Sequence, residues 1–365
     1  MKSKYLLIGF FITLFACSND TEDTSGTNPD ITNPDVTPIS EIYFPPIGSD
    51  TWETISPSEL EWNQENLQIL LDYLSEKNTK GFMILHHGKI VVEEYMNDHS
   101  PTSIWYWASA GKTLTSTVTG IAQDEGFLAI NNKVSDYLGI GWTSAALEKE
   151  NLITNKHLLS MSSGLDDSLG DDVSPEYLQY IADAGNRWAY HNVYVKMQDV
   201  VAAATNESWN SYFSSSLKDK IGMSGSWFDL DNLSVYWSNT RSMARFGLMI
   251  YADGKWEDTQ IVSEDFLTES TNTSQEINES YGYFWWLNGK SSFHLPQSQL
   301  EFPGSLIPNA PSDMYAALGK NDQKIYIVPS KNLVVIRMGE SAEGVNFALS
   351  SFDNELWEKI NAVIN

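Results

Sequence analysis

The sequence predicts an α+β fold: an antiparallel sheet flanked by terminal helices, with an all-helical lobe inserted between its early and late strands. Three observations predict it. Strand patterning appears soon after the folded region begins and again towards its end. The stretch from about 113 to 270 reads mainly as helix. Both ends of the folded region are amphipathic at helical spacing.

The folded region is expected from residue 42 to residue 365, entered through the Pro-marked segment “FPPIGSDTWETISPSEL”. Leu60, Leu67, Leu70, Leu71 and Leu74 recur near helical spacing, and Ser58 is the expected cap of that helix. “GFMILHHGKIVVEEYMND” predicts two strands around a His-Gly turn, which makes His86 and His87 structural. A helix follows from “WASAGKTLTST”, with Leu114, Val118 and Ile121 on one face and mostly Thr and Ser on the other. “ITNKHLLSMSSGL”, “VYVKMQDVVAAATN” and “NTRSMARFGLMIYADGKW” read as further helices, the last closed by Asp-Gly. “YGYFWWLNG” reads as a strand, and “MYAALGKNDQKIYIVPSKNLVVIRMGES” as three strands around Asn-Asp and Ser-Lys-Asn turns. The end is amphipathic through Phe347, Phe352, Leu356, Trp357, Ile360 and Val363. No internal repeat is visible.

Ahead of this region lie a leader and a tether. Lys2 and Lys4 precede the apolar run “YLLIGFFITLFA”, which is too short to span a bilayer comfortably, so residues 1–16 read as a signal peptide. Cys17 is the single cysteine, so the mature chain has no disulfide. “LFAC” resembles a bacterial lipobox, in which the chain is cut before the cysteine and the cysteine is acylated. Residues 17–41 hold Ser, Thr, Asn, Asp and Pro with little to bury and read as a disordered tether. The expected location is the bacterial cell envelope (outer membrane, periplasmic or surface-exposed), with Cys17 the one membrane contact; a plain secretory signal is the alternative. A net charge of −26 argues against nucleic acid, whose phosphates need a basic surface. The six histidines show no metal-ligand spacing.

Chemistry is concentrated at Ser109 and Lys112. A serine hydroxyl is a poor nucleophile until a base takes its proton. Residues three apart on a helix share a face, so Lys112 can reach the Ser109 oxygen. Burial lowers a lysine's pKa, which lets it act as base near neutral pH. A serine in the first helical turn also offers a backbone N–H at the positive end of the helix dipole, where an oxyanion can be held. A second match, Ser215 to Lys218, shares its stretch with Asp219 and Lys220 and reads as a solvated face. No Gly-x-Ser-x-Gly elbow is present.

“WASAGKTLTSTVTGIAQDEGFLAINNKVSDYLG” resembles the active-site segment of the serine β-lactamase-like hydrolases, the group of class C β-lactamases, D-Ala-D-Ala carboxypeptidases and β-lactamase-fold esterases. The similarity continues in “ITNKHLLSMSSGL”, “IGMSGSWFD”, “SMARFGLMIYADGKW” and “YGYFWWL”. It implies the β-lactamase/transpeptidase-like fold and an acyl-enzyme on Ser109 with Lys112 as base. The family's Tyr-x-Asn motif has two matches, at Tyr95 and at Tyr190; distance from Ser109 and the helix that follows favour Tyr190 as proton carrier, with Asn192 in support. Many relatives carry Lys-Thr-Gly or His-x-Gly on the strand edging the site. Here that place reads Ala317, Leu318, Gly319, so Ala317 brings no cation. The resemblance implies close backbone approach at Gly319 and an oxyanion-binding backbone N–H at Lys320.

Trp107, Trp188, Trp286, His191 and His294, with Trp105 and Trp285, are candidates for an apolar pocket. The expected function is an envelope-anchored serine hydrolase of a small-molecule or peptide-like acyl substrate, an esterase or amidase of the 6-aminohexanoate-dimer hydrolase-like branch rather than a β-lactamase. No cofactor or metal is implied. The alternatives are a non-catalytic surface binding protein on the same fold, and a D-Ala-D-Ala carboxypeptidase or β-lactamase.

Overall fold

The computed structural model describes residues 41–344 and 348–365. The leader, Cys17, most of the tether and Phe347 lie outside them.

The first helix, α1 (Gln64–Glu76), starts later than its leucine pattern suggests and is not capped by Ser58. Glu61 takes a left-handed backbone conformation, which no helix can run through, so the cap moves to Asn63, whose side chain accepts from the Asn66 N–H at 2.9 Å. Strands β1 (Thr79–His86) and β2 (Lys89–Tyr95) follow as the predicted hairpin. Its two turn residues, His87 and Gly88, both have positive φ, as such a tight turn requires.

A short strand, β3 (Trp105–Tyr106), leads through a 3-10 turn at Ala108–Gly111 into α2 (Lys112–Asp124). This helix is buried on every side from Lys112 to Ala122. Its polar face is satisfied largely from within: Thr113, Thr117 and Thr119 return their hydroxyl protons to carbonyls of the preceding turn. Thr115 accepts from Gln198 of α3 (Tyr194–Thr205) at 3.0 Å. At Gly120 a Cβ would meet the Phe266 ring at 2.3 Å, so only glycine lets that neighbour approach.

The stretch 113–270 is not all helical. β4 (Ser226–Leu230) and β5 (Leu233–Ser238) form a hairpin that pairs with β3 in a three-stranded sheet. Its turn is a two-residue Asp231–Asn232 connection, with Asp231 at positive φ. The last long helix of the stretch, α4 (Thr240–Tyr251), belongs with the main sheet instead of a helical lobe. At Gly247 an added Cβ would lie 2.7 Å from Val334, and at Gly81 of β1 one would lie 2.2 Å from Thr240, so glycine on either side permits the approach.

The predicted strand over “YGYFWWLNG” shrinks to β6 (Trp286–Leu287), because Phe284 turns into a left-handed conformation just before it. The three final strands are β7 (Tyr315–Gly319), β8 (Gln323–Val328) and β9 (Leu333–Gly339). The main sheet is antiparallel in the order β2-β1-β9-β8-β7-β6. Helix α5 (Ser351–Ile364) closes the chain and packs with α1: the Tyr73 and Phe352 rings stack at 5.9 Å. Ile325 and Val334 turn towards α4, whereas Tyr326 meets Trp357 of α5. Helices cover both faces, which is why β8 and β9 are apolar and buried almost throughout.

One buried polar group interrupts that interior. Lys324 of β8 lies 3.2 Å from Asp322 and 2.8 Å from Asp353 of α5, all three fully buried. Arg337 of β9, also buried, donates to the Asp322 carbonyl at 2.8 Å. These contacts fix the Lys320–Asp322 turn between β7 and β8, in which Asn321 and Asp322 both have positive φ.

Candidate active site

Trp107, Ala108 and Ser109 set the geometry. The Trp107 indole is buried, donates to Ser238 Oγ at 2.8 Å and meets the Tyr236 ring edge-on at 5.2 Å. Ala108 then adopts φ of 48°, a conformation costly for any residue with a Cβ. The chain next enters α2 and brings Lys112 one turn beyond Ser109. Lys112 Nζ lies 2.7 Å from Ser109 Oγ. Burial pulls the Lys112 ammonium down to about 7, against a smaller opposing pull from the Asp171 carboxylate. The lysine nitrogen sits over two rings, 4.9 Å from the centre of Tyr190 and 4.6 Å from that of Tyr194.

Tyr190 joins this pair. Burial pushes its phenol up to about 12, and the nearby Ser109 hydroxyl offsets part of the rise. Tyr190 is therefore a neutral phenol near pH 7, and Lys112 is the group poised to lose or gain a proton. The Tyr190 ring stacks on Trp286 at 5.6 Å and lies edge-on to Tyr281. The rival match is elsewhere: Tyr95 ends β2 and donates to Glu93 at 2.6 Å. Likewise Ser215 is exposed and Lys218 pairs with Asp219 at 3.4 Å.

Asn192 lines the same cleft, but its amide donates to Asp171 at 2.7 Å and not to Lys112. Gly319 ends β7 hard against the serine turn: a Cβ there would stand 2.5 Å from the Trp107 carbonyl and 2.9 Å from the Ala110 nitrogen. The glycine thus admits the strand to the serine turn. Lys320 follows, exposed, on the cleft rim. Among the described residues neither the Ser109 nor the Lys320 N–H is tied to a turn or loop carbonyl. Ala317 is fully buried within β7, paired with Ile325, and does not reach the cleft surface.

The expected aromatic pocket is not where the tryptophans are. Trp107, Trp188, Trp285 and Trp286 are core residues with almost no exposed surface. Trp188 and Trp286 pack around Tyr190 and Tyr281 and hold the phenol from behind. Trp105 is half-buried beside Tyr106 and does not line the cleft. His191 is buried, and that burial lowers its pKa; His294 is buried against Trp188. Neither histidine lines the cleft.

The cleft has a volume of about 410 Å³. One side is the small sheet, which presents Tyr106, Trp237, Val235, Leu233 and Leu230. The rest is polar, with Asp171, Asn192, Lys320 and Asn321. Asn321 donates to the Tyr106 hydroxyl at 2.7 Å and ties the β7-β8 turn to that sheet. Sequence reading missed this wall. The alternation in “SWFDLDNLSVYWS” was its signal.

The family model described as Beta-lactamase matches residues 79–349. No curated protein matches the chain. Among solved structures, a provisionally assigned β-lactamase from Bacteroides dorei superposes with a TM-score of 0.64 at 15% identity, covering 83% of this chain and 99% of its own. A protein from Bacillus anthracis, provisionally described as a 6-aminohexanoate-dimer hydrolase, gives 0.64 at 16% identity, covering 85% and 87%. EstCE1, described as a hydrolase with promiscuous acyltransferase activity, gives 0.63 at 11% identity, covering 85% and 99%. At these identities the likeness shows the fold.

Proposed function

The chain belongs to the β-lactamase family, and from that premise we propose that it is a serine hydrolase that cleaves an ester or amide through an acyl-enzyme on Ser109. The observation that carries this reading is the 2.7 Å contact between Ser109 and a buried Lys112 whose pKa is brought to about 7. Neutral Lys112 takes the Ser109 proton as the oxygen attacks the carbonyl carbon. The N–H groups of Ser109 and Lys320 receive the developing oxyanion. Tyr190 gives its phenol proton to the leaving group as the acyl bond breaks and regains a proton from the Lys112 ammonium; water, deprotonated by neutral Lys112, then attacks the acyl-enzyme, and the proton returns to Ser109 as the acid leaves.

Esterase or amidase activity is favoured over β-lactam or D-Ala-D-Ala chemistry. Those substrates carry a carboxylate, and Asp171 places a like charge in this cleft. Ala317 offers no cation, and Lys320 is the single lysine or arginine on the cleft rim apart from Lys112. A fluorophosphonate probe should label the protein at Ser109, and p-nitrophenyl butyrate should be hydrolysed well above background, whereas nitrocefin turns over slowly. Retention of labelling in Ser109→Ala would remove the nucleophile assignment. Efficient nitrocefin turnover that disappears in Lys320→Ala would overturn the esterase preference.

The reading extends to lipid anchoring in the bacterial envelope through Cys17, supported by the leader and the polar tether. Two acyl chains suffice for stable attachment. Cys17→Ser should move the protein from the membrane to the soluble fraction of the cell; equal membrane retention would argue for another attachment.

A further inference from the structure

The small sheet that walls the cleft has an unusual outer face. Alternation along β4 and β5 sends Trp227, Ser234, Tyr236 and Ser238 inward, where all four are buried. The other face presents Phe228, Leu230, Leu233, Val235 and Trp237. Register pairs Phe228 with Val235, Leu230 with Leu233, and Trp237 with Tyr106 of β3. A sheet with one solvated face ordinarily alternates apolar-in and polar-out. Here the outer face is apolar too, with Phe228 48% and Leu230 49% exposed. Contiguous exposed apolar surface of this kind marks a binding site.

This surface is continuous with the cleft at Ser109, because four of its five residues also line that cleft. An occupant that lies on it therefore has one end at the nucleophile. We propose that the β3-β5-β4 face is the subsite for the acyl chain of the substrate, and that the preferred substrates are neutral esters of unbranched medium-length fatty acids. The inference rests on the hydrolase reading above.

The acyl side is assigned from the order of groups around Lys112. Its nitrogen touches two rings, those of Tyr190 and Tyr194. The Tyr194 hydroxyl donates to the Ser234 carbonyl of β5 at 2.7 Å, so the small sheet is on the Tyr194 side. Tyr190, which hands the proton to the leaving group, packs instead against Trp188, Tyr281 and Trp286, none of them in that sheet. Asp229 and Asp231 at the hairpin tip oppose anionic chains such as a free fatty acid. From Ser226 to Leu230 the strand spans about 13 Å, which matches an extended chain of about ten carbons.

The test is a chain-length series. With p-nitrophenyl esters from acetate to dodecanoate, held below their aggregation concentration, kcat/KM should rise about two- to fourfold per methylene and level off near ten carbons. Acetate esters of alcohols of increasing length should show no such rise. In Phe228→Ser and Leu230→Ser, changes at exposed positions, the decanoate-to-acetate ratio of kcat/KM should fall at least tenfold. A flat acyl profile, a rise seen with alcohol length instead, or a ratio unchanged in both variants would each overturn the subsite. Fluorophosphonate labelling of the same preparations separates the two levels: labelled protein with a flat profile refutes the subsite alone, and protein that is not labelled refutes the hydrolase reading beneath it.

Discussion

Lys112→Ala is expected to lower Ser109-dependent ester hydrolysis by about two to four orders of magnitude, the scale of a lost general base. No other cation stands within the described hydrogen bonds of Ser109, so nothing in place replaces it. Lys218→Ala, which removes one surface ion pair, should leave the rate unchanged. If the two variants exchange these outcomes, the serine is Ser215. The pH profile carries a second check. Lys112 must be neutral to accept a proton, so activity should rise with pH through about 7 and then level. The Asp171 carboxylate favours the charged lysine, so Asp171→Asn should move this acid limb to lower pH. A limb that moves upward, or does not move, would assign it to another group.

The largest effect on stability is expected at the buried charges behind the β7-β8 turn. Lys324 is held between Asp322 and Asp353 and also donates to the Ala348 carbonyl at 2.6 Å. Removing one member of a buried set leaves the others charged without compensation, which costs about 3–5 kcal/mol. Asp353 does more than neutralise: it accepts from Tyr326 at 2.5 Å and from the Ser350 N–H at 3.0 Å, which starts α5. Asp353→Ala and Lys324→Met should each lower the unfolding temperature by roughly 6–10 °C. Because the same contacts fix the turn that bears the Lys320 N–H, the folded fraction of each variant should also turn over more slowly. Thermal unfolding within a degree or two of the parent would show that the surroundings relax around the lost charge.

Local rules made part of this legible. The hairpin at His87–Gly88 and the turns after Gly319 and Val328 follow from short polar breaks between apolar runs. Ser109 and Lys112 meet because three residues of helix bring them together, whatever the rest of the chain does. The limits came where tertiary contacts decide. Trp107, Trp188 and Trp286 look like pocket residues by type, yet packing around Tyr190, Tyr236 and Tyr281 takes them into the core. The cap of α1 moved from Ser58 to Asn63 through one left-handed residue that no periodicity reveals. Asp171 had no motif to point it out; only the fold brings it to Asn192. The β4-β5 hairpin was legible in its alternation but inverted in polarity: Ser234 and Ser238 point inward while Leu233, Val235 and Trp237 point out, the reverse of the usual surface strand.

The absence of a side chain at Gly319 has a consequence for how the molecule comes into being. The serine turn near residue 109 is completed by a strand from the far end of the chain, which can press against Trp107 only because nothing projects there. During synthesis Ser109 and Lys112 exist long before that strand does. Contacts this distant in sequence form late, after the entropy of closing a long loop has been overcome. A nascent or prematurely terminated chain thus carries Ser109 and Lys112 without the burial that lowers the lysine's pKa and without the proposed oxyanion-binding turn. On the mechanism proposed above, hydrolysis can begin only once that strand has closed on the serine turn, so the serine would stay idle through the period when the chain is most exposed.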